Sequence, residues 1–118
     1  MALHIETGKK GEEIAVNWLL NEGFTILYRN WRIGKLEIDI IATKEDFIHF
    51  VEVKTRRSSQ YGEPELSVNH KKFISLQRAV QAFLSTHKKY RWAQYDVVAI
   101  TLNANQNPLV ELFWDVYC

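Results

Sequence analysis

The chain has 118 residues, of which 47% are hydrophobic and 25% are charged, and its net charge at neutral pH is +1. These values predict one folded domain spanning residues 1–118, exclude a disordered chain, and exclude a uniformly basic nucleic-acid binder. The sequence has no apolar stretch of membrane length and no signal peptide, and Cys118 is its only cysteine, so we expect a reducing, cytoplasmic location.

The first half of the chain predicts one helix followed by three strands. Apolar residues recur at helical spacing between Thr7 and Asn21, where Thr7 is a candidate N-cap and Gly23 a candidate terminator. β-branched and aromatic residues separated by turn residues predict strands at 24–31, 36–43 and 47–55. One face of the second strand is predicted to carry the alternating apolar residues Leu36, Ile38, Ile40 and Ala42.

The second half predicts a loop, a long helix and two more strands. Residues 56–66 are polar and contain Gly62 and Pro64, which predicts a loop. Apolar side chains then recur at helical spacing from Ser67 to about His87. Further strands are predicted at 91–102 and 109–117. The resulting order, α-β-β-β-α-β-β, predicts an α/β domain with a mixed central sheet flanked by helices.

Two neighbouring strands place acidic residues among apolar ones. Glu37 and Asp39 lie in the second predicted strand, and Glu52 lies in the third. An even number of residues in the connecting turn, or a β-bulge, would bring Asp39 opposite Glu52, with their Cβ atoms about 5 Å apart. Like charges at that distance repel each other, but they become ligands when a divalent cation such as Mg²⁺ binds. The alternative is a solvated strand face on which Glu52 and Lys54 form a salt bridge of little value.

The residues after Glu52 offer further groups for such a site. Lys54 lies on the same strand face as Glu52, where it could orient an attacking water or stabilise a phosphate. The backbone carbonyl of Val53 is a further candidate ligand. A site of this kind requires that the face of Glu52 and Lys54 open to a cleft at the sheet edge beside Asp39. Val51 and Val53 should instead pack against a helix.

The first helix is predicted to add a fourth acid. Glu12 borders the apolar stripe of this helix and could reach the rim of the cleft, whereas Glu13 points to solvent. Gly8 and Gly11 lie on the packing side, where the missing side chains allow close approach to the sheet. A surface acid at the edge of the stripe is a nearly equal alternative for Glu12.

Basic side chains concentrate in three segments, KTRR (54–57), HKK (70–72) and HKKYR (87–91). Four side chains expected to be flexible and exposed are the candidates for contact with phosphate groups: Arg56, Arg57, Lys71 and Lys72. A solvated face is an equal alternative for all four. His49 alternates away from the acids, so we do not expect it to be a metal ligand. Asp96 begins a strand and is expected to have a structural role.

The pattern Asp39 … Glu52-Val53-Lys54 resembles the PD-(D/E)xK signature of restriction-endonuclease-like nucleases. More of the chain resembles the YraN-like family of small, uncharacterised bacterial proteins: GKKGEEIAVNWLLNEGF, NWR, EIDIIA, FVEVKTRRS, YGEPELSV, Lys72 and YDVVAI. That family is placed in the same nuclease fold and is similar to archaeal Holliday-junction resolvases. Two positions depart from the patterns, because Ile38 stands where the signature has proline and Leu36 where the family usually has glycine. Neither departure removes a metal ligand.

The resemblance implies a role for each acid and for Lys54. Asp39 and Glu52 would hold the metal, and Lys54 would serve the water or the phosphate. Glu12 would match the acid on the first helix of the resolvases, and Glu37 would match the acid of the family's EID segment.

The implied activity is a Mg²⁺- or Mn²⁺-dependent DNA endonuclease of DNA repair or recombination, acting on branched or single-stranded DNA. No serine or cysteine nucleophile with a partnered base is evident, which predicts hydrolysis by an activated water. Symmetric cutting of a junction would need a homodimer, and the candidate interface residues are Leu112, Phe113 and Trp114. The alternative is a binding or interaction module of the same fold without catalytic turnover.

Overall fold

The computed structural model describes residues 2–57, 70–90, 92–103 and 107–113, with side chains described except in 2–7 and 70–73. Its elements follow the predicted order: helix α1 (Ala2–Asn21), strands β1 (Thr25–Ile33), β2 (Leu36–Lys44) and β3 (Phe47–Arg56), helix α2 (His70–Thr86), and strands β4 (Trp92–Thr101) and β5 (Leu109–Phe113). The predicted loop beyond residue 57 and the predicted end of the last strand, 114–117, lie outside the described residues.

The five strands form one mixed sheet in the order β1-β2-β3-β4-β5. β3 and β4 run parallel, whereas the other three neighbouring pairs are antiparallel. Parallel neighbours need a long crossover connection, and here that connection contains α2. The predicted α/β fold with a mixed central sheet and this order of elements is confirmed.

Two tight hairpins set the register of the first three strands. Lys44 pairs with Phe47, so the β2–β3 turn has two residues, and Glu45 at its first position has a φ of 56°. The even turn length that brings Asp39 opposite Glu52 is therefore present, because β2 extends one residue beyond its predicted end at Thr43. Ile40 pairs with Val51, so one further step along both strands brings Asp39 opposite Glu52.

The two helices cover opposite faces of the sheet and define two cores. The α1 face buries Ala15, Val16, Leu19, Phe24, Ile40, Ala42, Val51, Val98 and Ile100. The α2 face buries Ile38, Ile41, Ile48, Phe50, Ala79, Val80 and Phe83. Val51 belongs to the α1 face and Val53 packs beside it, which confirms that these two valines pack against a helix. Glu52 and Lys54 alternate with them and lie on the α2 face. Within the described residues, neither helix combines the length and apolarity needed to cross a membrane.

The end of α1 follows its prediction and the start does not. The helix begins before Thr7, so Thr7 is a helical residue and its prediction as the N-cap is wrong. At the other end, Gly23 has a φ of 94°. The N–H groups of Gly23 and Phe24 donate to the carbonyls of Leu20 (3.1 Å) and Leu19 (3.0 Å). This pair of hydrogen bonds is a Schellman motif, and Gly23 terminates the helix as predicted.

The regular alternation of β2 breaks at Asp39. On one side of Asp39, Leu36 and Ile38 pack toward α2, whereas on the other side Ile40 and Ala42 pack toward α1. The prediction that these four apolar residues share one face is therefore wrong. A change of face between Ile38 and Ile40 requires a local departure from the pleat, because strict alternation keeps residues two apart on one side.

The neighbouring strand carries a matching irregularity. Arg29 pairs with Ile40 and Trp31 pairs with Ile38, so Asn30 lies opposite Asp39. Asn30 has a φ of 52°, in the left-handed region that strand residues rarely adopt. We call Asn30, Asp39 and Glu52, which face one another across β1, β2 and β3, the irregular row.

Candidate active site

Asp39 is a half-buried carboxylate in the middle of the irregular row. Its Oδ2 atom accepts a hydrogen bond of 2.8 Å from the backbone N–H of Val53. Burial raises the pKa of Asp39 to about 6, the Val53 hydrogen bond opposes this rise, and the charges of Glu12, Glu52 and Glu37 add to it. Three other carboxylates are therefore close enough to change the protonation of Asp39.

A cavity of about 260 Å³ opens beside Asp39 on the α2 face. Its described lining consists of Lys35, Leu36, Glu37, Ile38, Asp39, Val51, Glu52, Ser75 and Leu76. The cavity thus combines three carboxylates with an apolar wall to which α2 contributes Leu76. It lies over the central strands β2 and β3, and not at an edge of the sheet as expected, because β1 and β4 flank these strands.

Glu12 approaches the irregular row from the opposite side of the sheet. It belongs to α1, and its Oε2 atom accepts a hydrogen bond of 3.3 Å from Nδ2 of Asn30. Its charge contributes to the raised pKa of Asp39, which places the two carboxylates near each other. Glu12 is not among the described residues that line the cavity, so it lies behind Asp39 and not on the cavity rim that we expected.

The two remaining acids near the row form ion pairs with arginines of β1. Glu13 contacts Arg29 at 2.8 Å between Oε2 and Nη2, with both side chains at the surface. Glu37 contacts Arg32 at 3.2 Å while it also lines the cavity. Glu13 therefore lies outside the acid cluster, as expected. Glu37 lines the cavity and is paired with Arg32.

Lys54 and Val53 follow Glu52 along β3. Lys54 is half-buried on the α2 face and is not one of the described lining residues of the cavity. The N–H of Val53 contacts Asp39, which gives Val53 a role in orienting the acid. The roles of the Lys54 ammonium group and of the Val53 carbonyl stay predictions.

The basic candidates lie in two different environments. Arg56 is half-buried, and its Nε atom donates to Oγ1 of Thr101 at 3.4 Å, so the expectation of a flexible, exposed side chain is wrong for this residue. Arg57 is exposed directly after β3. Lys71 and Lys72 lie in the first turn of α2, one turn before Ser75 of the cavity, but their side chains lie outside the described residues.

Residues 11–100 match the model of the uncharacterised protein family UPF0102, which is the YraN family. The chain belongs to this family. It is 45% identical over 96 residues to a UPF0102 protein of Thermodesulfovibrio yellowstonii, a match that covers 81% of this chain and 86% of the relative. It is 39% identical over 118 residues to a UPF0102 protein of Syntrophus aciditrophicus, a match that covers 99% of this chain and 92% of the relative.

Among solved structures, this UPF0102 chain is similar to Hjc of Archaeoglobus fulgidus, a Holliday junction resolvase from an archaeal hyperthermophile. The TM-score is 0.50 with 13% sequence identity, and the match covers 87% of this chain and 74% of the resolvase. At that identity the likeness shows the fold alone. The expected family and the expected nuclease-type fold are both confirmed.

The acids of this UPF0102 chain have the chemistry of a site for a hard divalent cation. Mg²⁺ is commonly held by one or two carboxylates and keeps several waters, and Asp39 and Glu52 supply two carboxylates on adjoining strands beside a cavity. A bound cation would favour the ionised form of Asp39, which burial disfavours. In the part of the chain that the structure describes, no three His, Cys, Asp or Glu residues lie close enough together to hold an ion.

The sequence analysis did not predict the buried polar pair of His49 and Asp96. Nδ1 of His49 and Oδ2 of Asp96 are 2.6 Å apart, and their side chains are only 5% and 0% exposed. Gln94 donates to the other oxygen of Asp96 at 3.1 Å. The pair lies on the α1 face, where the edge of Phe24 meets the His49 ring. Asp96 lies inside β4, which begins at Trp92, so the prediction that it begins the strand is wrong, and its structural role stays a prediction. His49 faces away from Glu52 on β3 and contacts Asp96 instead.

The sequence analysis also overlooked Asn30, although the sequence contained a signal for an irregular backbone at this position. Asparagine is disfavoured inside strands, and it is the non-glycine residue that best tolerates left-handed backbone. Its occurrence in the middle of a predicted strand could therefore have indicated an irregular position. Lys35, Ser75 and Leu76 gave no such signal, because only the packing of α2 on the β1–β2 hairpin places them at the cavity.

Proposed function

We propose that this chain is a metal-dependent DNA endonuclease that hydrolyses a phosphodiester bond with a water molecule and prefers branched or otherwise unpaired DNA. The observation that supports this most is Asp39, a half-buried acid whose pKa is raised to about 6 beside Glu12, Glu52 and Glu37 at the mouth of a cavity. A protein selected for stability alone would not gather like charges in this way. The likeness of the fold to that of a Holliday junction resolvase supports the same activity and the preference for branched DNA.

The proposed roles follow from the position of each group. Asp39 and Glu52 would hold a Mg²⁺ or Mn²⁺ ion, with the Val53 carbonyl as a further ligand. When bound, the ion lowers the pKa of a water and neutralises charge that develops on the phosphate. The Val53 N–H donates to Oδ2 of Asp39 and so orients this carboxylate. Lys54 orients the water or stabilises the phosphate, and Arg57, Lys71 and Lys72 contact the flanking phosphates.

The decisive experiment is a cleavage assay with labelled junction, flap, single-stranded and duplex DNA in Mn²⁺ and in Mg²⁺. Wild-type protein should cleave a branched or unpaired substrate, and Asp39→Ala should lose activity by on the order of 100-fold or more. Asp46→Ala is the matched control, because Asp46 is an exposed acid in the β2–β3 turn, away from the cavity. If wild type and Asp39→Ala cleave equally poorly, the nuclease proposal loses its main support.

Two further variants separate metal binding from turnover. Glu52→Gln keeps the shape of the side chain but removes its charge, so calorimetry should show weaker Mn²⁺ binding and the assay should show less cleavage. Metal-free thermal stability should stay level or rise, because repulsion of Asp39 is relieved. Lys54→Met should reduce turnover more than Mn²⁺ affinity, since Lys54 is not a ligand. If Glu52→Gln instead destabilises the metal-free protein and leaves metal binding unchanged, Glu52 is a structural ion-pair partner.

One observation favours a second candidate, a nucleic-acid-binding module of the same fold without catalytic turnover. Among the described residues no three potential ligands converge tightly enough to hold an ion. Binding of branched DNA that persists in EDTA and in Glu52→Ala, together with no cleavage in any divalent metal, would establish this alternative. Calorimetric titration with Mn²⁺ divides the two, because a pure binding module has no need of a metal.

A further inference from the structure

We propose that Asn30 is a positioning residue, whose left-handed backbone and side-chain amide hold the Glu12 carboxylate behind Asp39. The inference rests on the proposed function, because it gives Glu12 its task at the metal site. It adds a residue of β1 to the cluster of acids that α1, β2 and β3 contribute around Asp39.

The backbone of Asn30 is unusual for its place in the fold. Its φ of 52° occurs inside β1 and not at a turn, because regular pairs with β2 lie on both sides of it, Arg29 with Ile40 and Trp31 with Ile38. A non-glycine residue keeps such a conformation only where its surroundings impose it, and such residues concentrate at functional sites. Asn30 faces Asp39 across this row of the sheet, so the irregularity lies at the candidate site.

With Asn30 in the left-handed conformation, two consecutive side chains, Arg29 and Asn30, point to the same face of the sheet. In a regular strand, Arg29 and Asn30 would point to opposite faces of the sheet. Here both reach α1: Arg29 contacts Glu13 at 2.8 Å, and Asn30 donates to Glu12 at 3.3 Å. The irregular backbone thus brings the Asn30 amide to Glu12. With regular alternation in β1, Asn30 would point to the face of the sheet opposite α1.

The chemistry of the two contacts differs in a way that suits a metal site. Arg29 is a cation and neutralises Glu13, which lies outside the acid cluster. The amide of Asn30 is neutral, so it can orient Glu12 without cancelling its charge. The Glu12 carboxylate is therefore held near Asp39 by a neutral donor and not by a competing cation. An arginine at position 30 would be such a cation.

The test is a double-mutant cycle on Mn²⁺ affinity, measured by calorimetry on the full chain, with Asn30→Gly, Glu12→Gln and the double variant. Asn30→Gly removes the amide while glycine tolerates the positive φ, so the metal-free melting temperature should change by only a few degrees. Mn²⁺ affinity should fall about tenfold, the lower end of the range for groups that orient metal ligands. In the Glu12→Gln background, Asn30→Gly should change the affinity less than about twofold, because the two residues act together.

Kinetics and a matched acid complete the experiment. Asn30→Gly should lower kcat for DNA cleavage and leave KM for DNA unchanged, because it acts on Glu12 and not on the substrate. Glu13→Gln is the control, since Glu13 is the neighbouring acid held by Arg29, and it should leave both affinity and kcat unchanged. Additive effects in the cycle, or an Asn30→Gly protein that binds Mn²⁺ like wild type, would overturn the positioning role alone. Wild-type protein that binds no Mn²⁺ would overturn the proposed function, and the positioning role with it.

Discussion

At the scale of single residues, three acids of this chain occupy three environments that give them different effects on stability. Asp39 is half-buried among other carboxylates. Asp96 is fully buried against His49. Glu13 is exposed and faces Arg29 across the surface, with 58% and 40% of the two side chains accessible. Burial makes a lone charge costly and a satisfied hydrogen bond valuable, whereas solvent weakens both effects.

Asp39→Asn should stabilise the metal-free protein at neutral pH. The pKa of Asp39 is raised to about 6, above the value of about 4 in an unfolded chain. Ionisation of Asp39 therefore lowers the free energy of unfolding. The full loss applies above about pH 6, and it disappears as the pH falls toward 4. The asparagine still accepts the Val53 hydrogen bond, so we expect a gain of about 1–2 kcal/mol near pH 7.5 and much less near pH 4.5. Thermal melts at the two pH values check this, and a larger gain at the lower pH would contradict it.

Asp96→Ala should destabilise the protein far more than Glu13→Ala. The first change leaves the buried His49 ring without its 2.6 Å partner and opens space in the core, so we expect a loss of about 2–3 kcal/mol. The second removes an exposed ion pair and should cost no more than about 0.5 kcal/mol. Urea unfolding of both variants measures the difference. Equal losses would mean that Asp96 contributes nothing through its burial.

At the scale of elements, the docking of α1 on β3 depends on one close approach. A Cβ atom at Gly11 would collide with the side chain of Thr55, so the prediction of a packing role for Gly11 is confirmed. Gly8 was predicted to do the same, and this is wrong, because a Cβ atom there would meet nothing within 4 Å. The close approach matters for the candidate site, since Glu12 follows Gly11 directly and its distance from Asp39 depends on how α1 sits.

Alanine substitutions at the two glycines should have opposite signs. Gly8→Ala gains helix propensity without a clash and should stabilise the protein by about 0.5–1 kcal/mol. Gly11→Ala gains the same propensity but forces α1 away from Thr55, so the net effect should be a loss of about 1–3 kcal/mol. Chemical unfolding of the two variants gives the comparison. A stabilised Gly11→Ala protein would show that α1 can shift freely on the sheet, and that Glu12 is not fixed by packing.

At the scale of the whole molecule, the irregular row connects the two faces that the helices otherwise separate. Glu12 reaches Asp39 from the α1 face, and the cavity reaches Asp39 from the α2 face. Of the suggested interface residues, Leu112 packs against the α1 core and Phe113 is half-buried at the end of β5, while Trp114 lies outside the described residues. The interface role of these three residues stays a prediction.

We expect a homodimer if this chain cuts junctions symmetrically, because paired cuts need two sites related by a two-fold axis. Sedimentation velocity at micromolar concentration, with and without junction DNA, measures the mass in solution. A monomer under both conditions would remove the symmetric version and leave nicking of flaps or single strands as the remaining activity. Cleavage of a junction on both strands by such a monomer would show that the symmetry argument itself does not apply.

Local sequence patterns were enough to predict the elements and their order, whereas the register of the β2–β3 hairpin came from the structure. Periods of 3.6 and 2 mark α1, α2 and the strands, and the two-residue turn at Glu45 and Asp46 sets which side chains face each other. Only the tertiary structure decided the side from which Glu12 arrives, the change of face at Asp39, and the pairing of His49 with Asp96. Local patterns report which face a side chain would occupy in a regular element. They carry no information on where a strand departs from regularity. They also do not show which distant residue a side chain will contact, as with His49 and Asp96, which are 47 positions apart.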